Sequence, residues 1–143
     1  MSIFKTLENE HDQVRMMFKE SMKEEGKGKV FYDLDRLLDR HMEGEEKYLY
    51  PEMKVLGFEE DTLESIEEHH VAKLVLNELR EMSGKEENWT PKLQVLKETV
   101  EHHLEEEEDK LFPEAAKKIV PSEERNIEEQ YQELKEQMEE SGK

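Results

Sequence analysis

The chain has 143 residues, which is enough for one compact domain with a core of its own. It contains no cysteine, and this excludes disulfides, thiolate-bound metals and iron–sulfur clusters. The formal net charge of -18 repels phosphate backbones and anionic lipid, so we expect no nucleic-acid partner and no membrane partner. The first residues lack the basic start and apolar run of a secretory signal, which predicts a cytoplasmic location.

The first segment predicts a helix that carries a histidine in the middle of its buried face. The positions on this face recur at steps of three and four residues, and they are Ile3, Leu7, His11, Val14 and Phe18. The helix is expected to end near Gly26 and Gly28, where two glycines close together favour a turn.

A second helix is predicted from about Lys29 to Pro51, and its buried line includes a carboxylate. The line consists of Val30, Leu34, Leu37 or Leu38, His41, Glu45 and Leu49. Because an unpaired buried carboxylate is costly, Glu45 must be neutral, paired or bound to a cation. Pro51 is expected to disrupt the helical hydrogen bonding, and Gly57 marks the following turn.

The third predicted helix begins with a capping pattern and contains two adjacent histidines. Asp61 is expected to be the cap, with Glu64 three residues later. The line through His69 is apolar, whereas the line through His70 also carries Asn77 and Glu81. We therefore favour His69 as the inward histidine and keep His70 as the alternative.

Thr90 and Pro91 are expected to open a fourth helix, with the threonine as its cap. The buried line of this helix consists of Leu93, Leu96, Val100, His103, Glu107 and Leu111. His103 therefore points inward, and the neighbouring His102 points outward. Residues 121–143 repeat the helical step and predict a short accessory helix, with no expected chemistry, after a bundle formed by residues 1–120.

The second and fourth helices carry the same pattern. Residues 41–53 and 103–115 share seven of thirteen identities, and each copy contains a histidine, a glutamate four residues later, and a proline. On a helix this spacing places the histidine and the glutamate one turn apart on the same face. Each copy is preceded by a helix with a single inward histidine. The repeat predicts an all-α fold, an antiparallel up-and-down four-helix bundle.

Six side chains with metal-binding donors share the predicted inward faces, and they are His11, His41, Glu45, His69, His103 and Glu107. Two carboxylates at the same depth in a bundle can each bridge, so six ligands fit two metal ions better than one. Two cations would also offset the buried negative charge. Imidazole and carboxylate donors without sulfur suit iron, manganese or zinc.

A second ligand arrangement uses other faces of the same helices. It comprises Glu8, His11, Glu45, Glu67, His70 and Glu107, which match the Glu plus Glu-x-x-His set of ferritin-like di-iron proteins. This arrangement leaves His41 and His103 unused, although both lie on the apolar line. It would favour ferroxidase or oxygen-activating chemistry.

The chain resembles the hemerythrin-like family, the HHE cation-binding domains, over roughly residues 3–119. The matching residues are Glu10-His11, His41 to Pro51, Glu68-His69 and His102 to Pro113. The resemblance implies a carboxylate-bridged di-iron centre with the four inward histidines as terminal ligands and Glu45 and Glu107 as bridges. The implied cofactor is two non-haem iron ions, which could carry an oxo or hydroxo bridge, in preference to manganese or zinc.

One departure from the family pattern concerns the third helix. Oxygen-carrying hemerythrins use a further histidine there, and the positions four residues from His69 are Ser65 and Lys73. We therefore expect oxygen to oxidise the ferrous protein irreversibly rather than to form a lasting adduct.

The favoured function is binding or sensing of dioxygen, nitric oxide or peroxide. Apolar walls for such a ligand are expected from Leu7, Val14, Ile66, Ala72 and Val100, each three or four residues from a predicted ligand. The alternatives are a redox enzyme, such as a peroxidase, a nitric oxide reductase or a ferroxidase-like protein, and an iron storage or homeostasis protein. Binding ranks above catalysis because no residue outside the predicted ligands is an evident acid or base.

Overall fold

The structure is a computed structural model that describes residues 2–141. The elements are α1 (Ile3–Lys23), α2 (Lys29–Gly44), the π-helical segment π1 (Glu45–Leu49), α3 (Tyr50–Val55), α4 (Glu59–Glu81), α5 (Trp89–Glu106), the π-helical segment π2 (Glu107–Leu111), α6 (Phe112–Lys118) and α7 (Pro121–Ser141). Within the described range all regular structure is helical, which confirms the predicted all-α class. No helix in that range is both long and apolar enough to cross a membrane.

Two long helical runs change from α to π geometry in their middle, which the sequence pattern did not predict. α2 passes directly into π1 and α3, and α5 passes directly into π2 and α6. The two changes begin at Glu45 and Glu107, the second member of each repeated His-x-x-x-Glu pair. Pro51 and Pro113 then fall in the first turn of α3 and α6, where a missing N–H is tolerated. Pro51 therefore does not end the helical run as expected.

The third predicted helix begins earlier than its capping pattern indicated. α4 starts at Glu59 and not after Asp61, and Phe58 occupies the cap position. The hydroxyl of Thr62 donates to the carbonyl of Phe58 at 2.6 Å. Three acidic residues, 59–61, lie in the first turn, where they interact favourably with the helix dipole. α5 likewise begins one residue before Thr90.

Two apolar cores flank a polar layer. The larger core consists of Val14, Phe18, Phe31, Leu34, Leu37, Leu38, Met42, Ala72, Leu76, Leu79, Trp89, Leu93, Leu96, Val100 and Leu104. The smaller core consists of Ile3, Phe4, Leu7, Leu49, Tyr50, Met53, Leu111, Phe112, Ala115, Ile119, Ile127 and Tyr131. Burial of each large apolar side chain stabilises the fold by about 1.5–3 kcal/mol. Along α1 the change from one core to the other occurs at His11, between Leu7 and Val14.

The C-terminal helix α7 covers residues 121–141 of the predicted range 121–143, and with 21 residues it is not short. Residues 142 and 143 lie outside the described part of the chain. It packs against α1, α2 and π1. Ile127, Tyr131 and Leu134 are 1%, 1% and 6% exposed, and their spacing of four and three residues places them on one buried face of the helix. Through π1, α7 lies next to the polar layer.

Candidate metal centre

The polar layer contains the six side chains predicted from the helical faces, and all six are buried. His11, His41, Glu45, His69, His103 and Glu107 are between 0% and 5% exposed. They come one each from α1, α2, π1, α4, α5 and π2. Because the elements pack side by side, residues far apart in the sequence meet in one layer.

The first group of donors, called half-site A, consists of His11, His41, Glu45 and Glu107, and the donor atoms lie within 4.8 Å of one another. Nε2 of His11 is 3.2 Å from Nε2 of His41. It is 3.4 Å from Oε1 of Glu107, and Nε2 of His41 is 3.4 Å from Oε1 of Glu45. The Nε2 atoms of His11 and His41 and the Oε1 atoms of Glu45 and Glu107 thus lie close together around one point.

The second group, called half-site B, consists of Glu45, His69 and His103, again within 4.8 Å of one another. The two Nε2 atoms are 3.1 Å apart, and Nε2 of His69 is 3.2 Å from Oε1 of Glu45. Oε2 of Glu107 is 3.5 Å from Nε2 of His103. Each carboxylate therefore lies beside one imidazole of half-site A and one of half-site B.

These spacings fit a pair of cations. Nitrogen and oxygen donors bound at about 2.1 Å to one ion lie about 3.0–3.4 Å apart along the edges of an octahedron or a tetrahedron. Both oxygens of Glu45, and Oε1 of Glu107, are buried without a hydrogen-bond partner among the described residues. A buried carboxylate without a partner is costly, and cations would supply the missing partners.

Without a cation, the two inner carboxylates repel each other in a buried space. Burial, followed by the charge of Glu107, raises the pKa of Glu45 well above its ordinary value. Burial also acts to raise the pKa of Glu107, but the imidazoles of His103 and His11 outweigh it and lower this pKa. The two carboxylates therefore titrate as a pair, and bound cations would compete with any proton that the pair holds.

Each inner imidazole is held from behind by an outer carboxylate. Nδ1 contacts a glutamate oxygen at 2.7 Å for His11 and Glu108, 2.9 Å for His41 and Glu10, 2.7 Å for His69 and Glu46, and 2.6 Å for His103 and Glu68. An ionised carboxylate only accepts, so Nδ1 carries the proton and Nε2 is left to bind a metal. The helical lines did not identify these glutamates, although each is the sequence neighbour of an inner residue.

The outer carboxylates are anionic because they have cationic or donor partners. Burial acts to raise the pKa of Glu10, but its hydrogen bond with His41 and the charge of Arg40 lower that pKa to about 2. Against the same effect of burial, His69 and Lys73 lower the pKa of Glu46 to about 2. Burial lowers the pKa of His41, which favours the neutral imidazole that binds metals.

Tyr50 brings a hydroxyl into half-site B, and its apolar spacing did not predict this role. The hydroxyl donates to Oε2 of Glu107 at 2.7 Å and lies 3.3 Å from Nε2 of both histidines of half-site B. Burial raises the pKa of Tyr50 well above its ordinary value, so the hydroxyl keeps its proton in the metal-free protein. The repeat equivalent, Phe112, stacks on His11 with ring centroids 5.8 Å apart. Half-site A therefore faces a hydrocarbon ring where half-site B faces a hydroxyl.

The two positions one turn from His69 differ in their environment. Ser65 is buried at 5% exposure, and its side chain hydrogen-bonds the hydroxyl of Tyr50. Lys73 lies nearer the surface and donates to Glu46 at 2.8 Å. Half-site B therefore has a pair of hydroxyls in place of a further imidazole.

The remaining histidines lie on the surface. His70 and Glu67 are exposed, so the ferritin-like arrangement of ligands does not assemble. The side chain of His102 is 67% exposed and lies 2.9 Å from Glu106. Together with Glu68 these two residues form a surface group of donors, and exposed groups of this kind are common without a metal. The helical lines thus identified the inward histidine correctly in both helices.

A small cavity of about 20 Å³ adjoins the centre on the side of the larger core. Its walls include Leu38, Met42, Ala72, Val100 and Leu104 together with edges of His41, His69 and His103. This volume is sufficient for one water-sized molecule. Ala72 and Val100 were expected to be apolar walls, whereas Leu7, Val14 and Ile66 do not line this cavity.

The helical bundle and its two buried groups of histidine and glutamate define the class of this protein, an all-α cation-binding protein. The family model for the hemerythrin HHE cation binding domain matches residues 2–115. The chain therefore belongs to the hemerythrin HHE family. No solved structure matches the chain.

The chain is also similar to a protein named "DNA nickase" from Nostoc sp. strain PCC 7120. The two are 27% identical over 115 residues, which cover 78% of this chain and 33% of the relative. The chain thus spans about a third of the length of this curated relative. The name of the relative describes that longer protein.

Proposed function

We propose that the protein is a non-haem di-iron protein that binds or senses dioxygen, nitric oxide or peroxide. The observation that carries the proposal is the pair of inner carboxylates, each lying between two imidazoles and together leaving three buried oxygens without a hydrogen-bond partner among the described residues. Two divalent cations would compensate for this charge. Iron is preferred over manganese or zinc because the HHE family binds cations, typically iron, with these residue types.

In this proposal, His11 and His41 hold one ion and His69 and His103 hold the other. Glu45 and Glu107 are shared between the two ions. Iron bound here would supply Lewis acidity and electrons. The chain's own contribution is to fix the imidazoles through the outer carboxylates and to keep the protonated hydroxyl of Tyr50 beside half-site B.

We also propose the finer architecture that suits this centre. The helices α1, α2, α4 and α5 would form an antiparallel up-and-down bundle, because short connections join consecutive helices. Residues 2–120 would form the bundle and residues 121–141 an addition to it, and residues 1, 142 and 143 of the predicted ranges lie outside the described part of the chain. We propose a cytoplasmic location for the protein.

The cavity favours a ligand of very few atoms. Its volume of about 20 Å³ is that of a water-sized molecule and its walls are mostly apolar, which disfavours larger polar substrates. Binding or sensing of a small ligand is therefore our first choice.

A redox enzyme is the second candidate, and the position of Tyr50 favours it. A hydroxyl that donates to Glu107 at 2.7 Å could also give a proton to a reduced ligand at half-site B. The activity would then be reduction of peroxide or nitric oxide. In that case Tyr50→Phe would slow turnover, whereas Tyr48→Phe, on a half-buried ring outside the centre, would not.

We do not transfer DNA nicking from the longer relative to this chain. A net charge of -18 opposes approach to a phosphate backbone. The proposed partner is a small molecule, and neither a nucleic acid nor a membrane is proposed.

The test is anaerobic loading of the metal-free protein with ferrous iron, followed by separate admission of dioxygen, peroxide and nitric oxide. We expect close to two irons per chain, a stable optical spectrum with nitric oxide, and irreversible oxidation by dioxygen. A protein that refuses iron, or that retains zinc alone, would refute the di-iron proposal. Many turnovers of peroxide or nitric oxide with an electron donor would favour the enzyme, and loading well above two irons would favour storage.

A further inference from the structure

One side chain of α7 reaches the shell of carboxylates behind half-site A. The hydroxyl of Tyr131 donates to Oε1 of Glu10, and the same oxygen accepts from Nδ1 of His41 at 2.9 Å. α7 lies beyond residues 2–115, the part that matches the family model. A continuous path of contacts therefore runs from a helix outside that part to a proposed iron ligand.

Glu10 differs from the other three outer carboxylates in its burial. Its side chain is 3% exposed, against 28% for Glu46, 20% for Glu68 and 25% for Glu108. The difference arises because α7 covers this part of α1 and α2. Protein donors hold all four outer carboxylates, but water can reach the other three and is largely excluded from Glu10.

The two copies of the repeat differ at the place where Tyr131 packs. Position 44 is glycine where the other copy has Glu106. A Cβ atom at Gly44 would lie 2.1 Å from Cε1 of the Tyr131 ring, so no larger residue fits beneath the ring. The φ angle of Gly44 is -62°, which any residue adopts, and glycine is a poor helix former. The close packing of the Tyr131 ring against position 44 therefore explains why a glycine is found there.

Polar contacts on both sides of Tyr131 fix the position of α7. Arg40 donates to Oε2 of Glu10 at 3.0 Å, and another of its nitrogens lies 3.6 Å from Glu139 of α7. The hydroxyl of Thr6 donates to Glu128 of α7 at 2.8 Å. Contacts with directional requirements hold the helix in one register, which apolar packing alone would not do.

We propose that α7 contributes to the metal centre and that its residue Tyr131 is a positioning residue. It holds Glu10, and through Glu10 it sets the orientation and the donor strength of His41. Half-site A thereby depends on a seated α7, whereas half-site B does not, because its outer carboxylates accept from no tyrosine among the described residues. This inference rests on the proposed di-iron function.

The test uses Tyr131→Phe in the full chain, since phenylalanine keeps the ring on Gly44 and removes the hydroxyl. The two stepwise affinities for ferrous iron are measured by anaerobic competition with a coloured chelator. We expect one affinity to fall by about 10–100-fold and the other to stay unchanged. Tyr32→Phe, on an exposed tyrosine, is the matched control and should change neither affinity.

A double substitution shows whether Tyr131 acts through Glu10. Glu10→Gln should weaken the same single affinity, and adding Tyr131→Phe to it should cause no further loss. The Mössbauer spectrum of the reduced protein should change for one of its two irons and not for the other. If the Tyr131→Phe protein does not fold, Glu10→Gln carries the test by the same criteria.

Three results would overturn the inference: unchanged affinities in Tyr131→Phe, equal losses at both irons, or additive losses in the double variant. Failure of the proposed function is a different result, namely an unmodified protein that does not bind two irons. The two failures are therefore distinguishable.

Discussion

At the scale of single residues, metal binding requires the two nitrogens of each inner imidazole to differ in protonation. Nδ1 must keep a proton for its outer carboxylate so that Nε2 can offer its lone pair to a metal. His103 shows the competition with protons most directly. Burial lowers its pKa, but the charge of Glu107 and the hydrogen bond with Glu68 raise it above the ordinary value. Iron and a proton therefore compete for Nε2 of this imidazole.

The adjacent residues His102 and His103 allow a matched comparison on one turn of α5. His103→Ala removes a buried donor of half-site B, so the iron content after anaerobic loading and desalting should fall from two to one or fewer. His102→Ala removes an exposed side chain and should leave both irons. Loss of iron in the His102 variant with retention in the His103 variant would contradict the assignment of inward and outward faces.

At the scale of elements, the π segments and the turns position the helices around the centre. π1 and π2 begin at the two inner glutamates, which places the same change of geometry at both carboxylates. At the far end of the larger core, the turn after α1 contacts the turn after α4. Lys27 donates to the carbonyls of Arg80 and Met82 at 2.6 and 3.0 Å, and so satisfies the C-terminal end of α4.

Two glycines with positive φ, Gly57 between α3 and α4 and Gly84 after α4, allow the cost of backbone strain to be separated from the cost of packing. Gly57 has a φ of 103° and open space around it, since an added Cβ meets no described atom within 4 Å. Gly84 has a φ of 95°, and an added Cβ would lie 2.5 Å from the backbone nitrogen of Lys27. Gly57→Ala should therefore destabilise the protein by about 1–3 kcal/mol through its backbone alone. Gly84→Ala should cost more.

Urea denaturation of the two variants measures this difference. The unfolding free energies are compared with the unmodified protein at one pH and one iron content. Equal losses of unfolding free energy in the two variants would show that the close approach of Gly84 to Lys27 adds no packing cost.

At the scale of the whole molecule, a buried acidic layer is held between two apolar cores. The outer carboxylates tie that layer together, and they do so only while they are ionised. The metal-free protein should therefore lose stability in acid before its apolar cores are affected. The same layer gives the cations an attractive field within a chain of net charge -18.

Glu10 provides the prediction for this acid sensitivity. Its pKa in the folded protein is lowered from 4.5 to about 2, so its contribution is fully present above about pH 4.5 and is lost as the pH falls towards 2. The lowering corresponds to roughly 3 kcal/mol. In the metal-free protein, Glu10→Gln should cost about this much at pH 7, and the difference should shrink at pH 3.

The measurement is chemical denaturation of the metal-free proteins at both pH values. Glu20→Gln, on an exposed part of α1, should have little effect at either pH. A loss in Glu10→Gln that is the same at pH 7 and pH 3 would show that the ionised carboxylate is not the source of the stability.

The sequence by itself determined the helical class, the inward faces and the six inner side chains. These follow from a period of three to four residues, which is a local property that one helix imposes on its own side chains. The recurrence of the His-x-x-x-Glu pair further indicated that two helices serve one centre.

The tertiary structure alone decided the π segments, the outer carboxylates, the hydroxyl of Tyr50 in half-site B and the contact of Tyr131 with Glu10. Each of these depends on how one element lies against another, and no local period encodes that relation. Tyr131 shows the reason most clearly. On its own helix it is an ordinary apolar position, and its hydroxyl gains a partner only because α7 packs over Gly44.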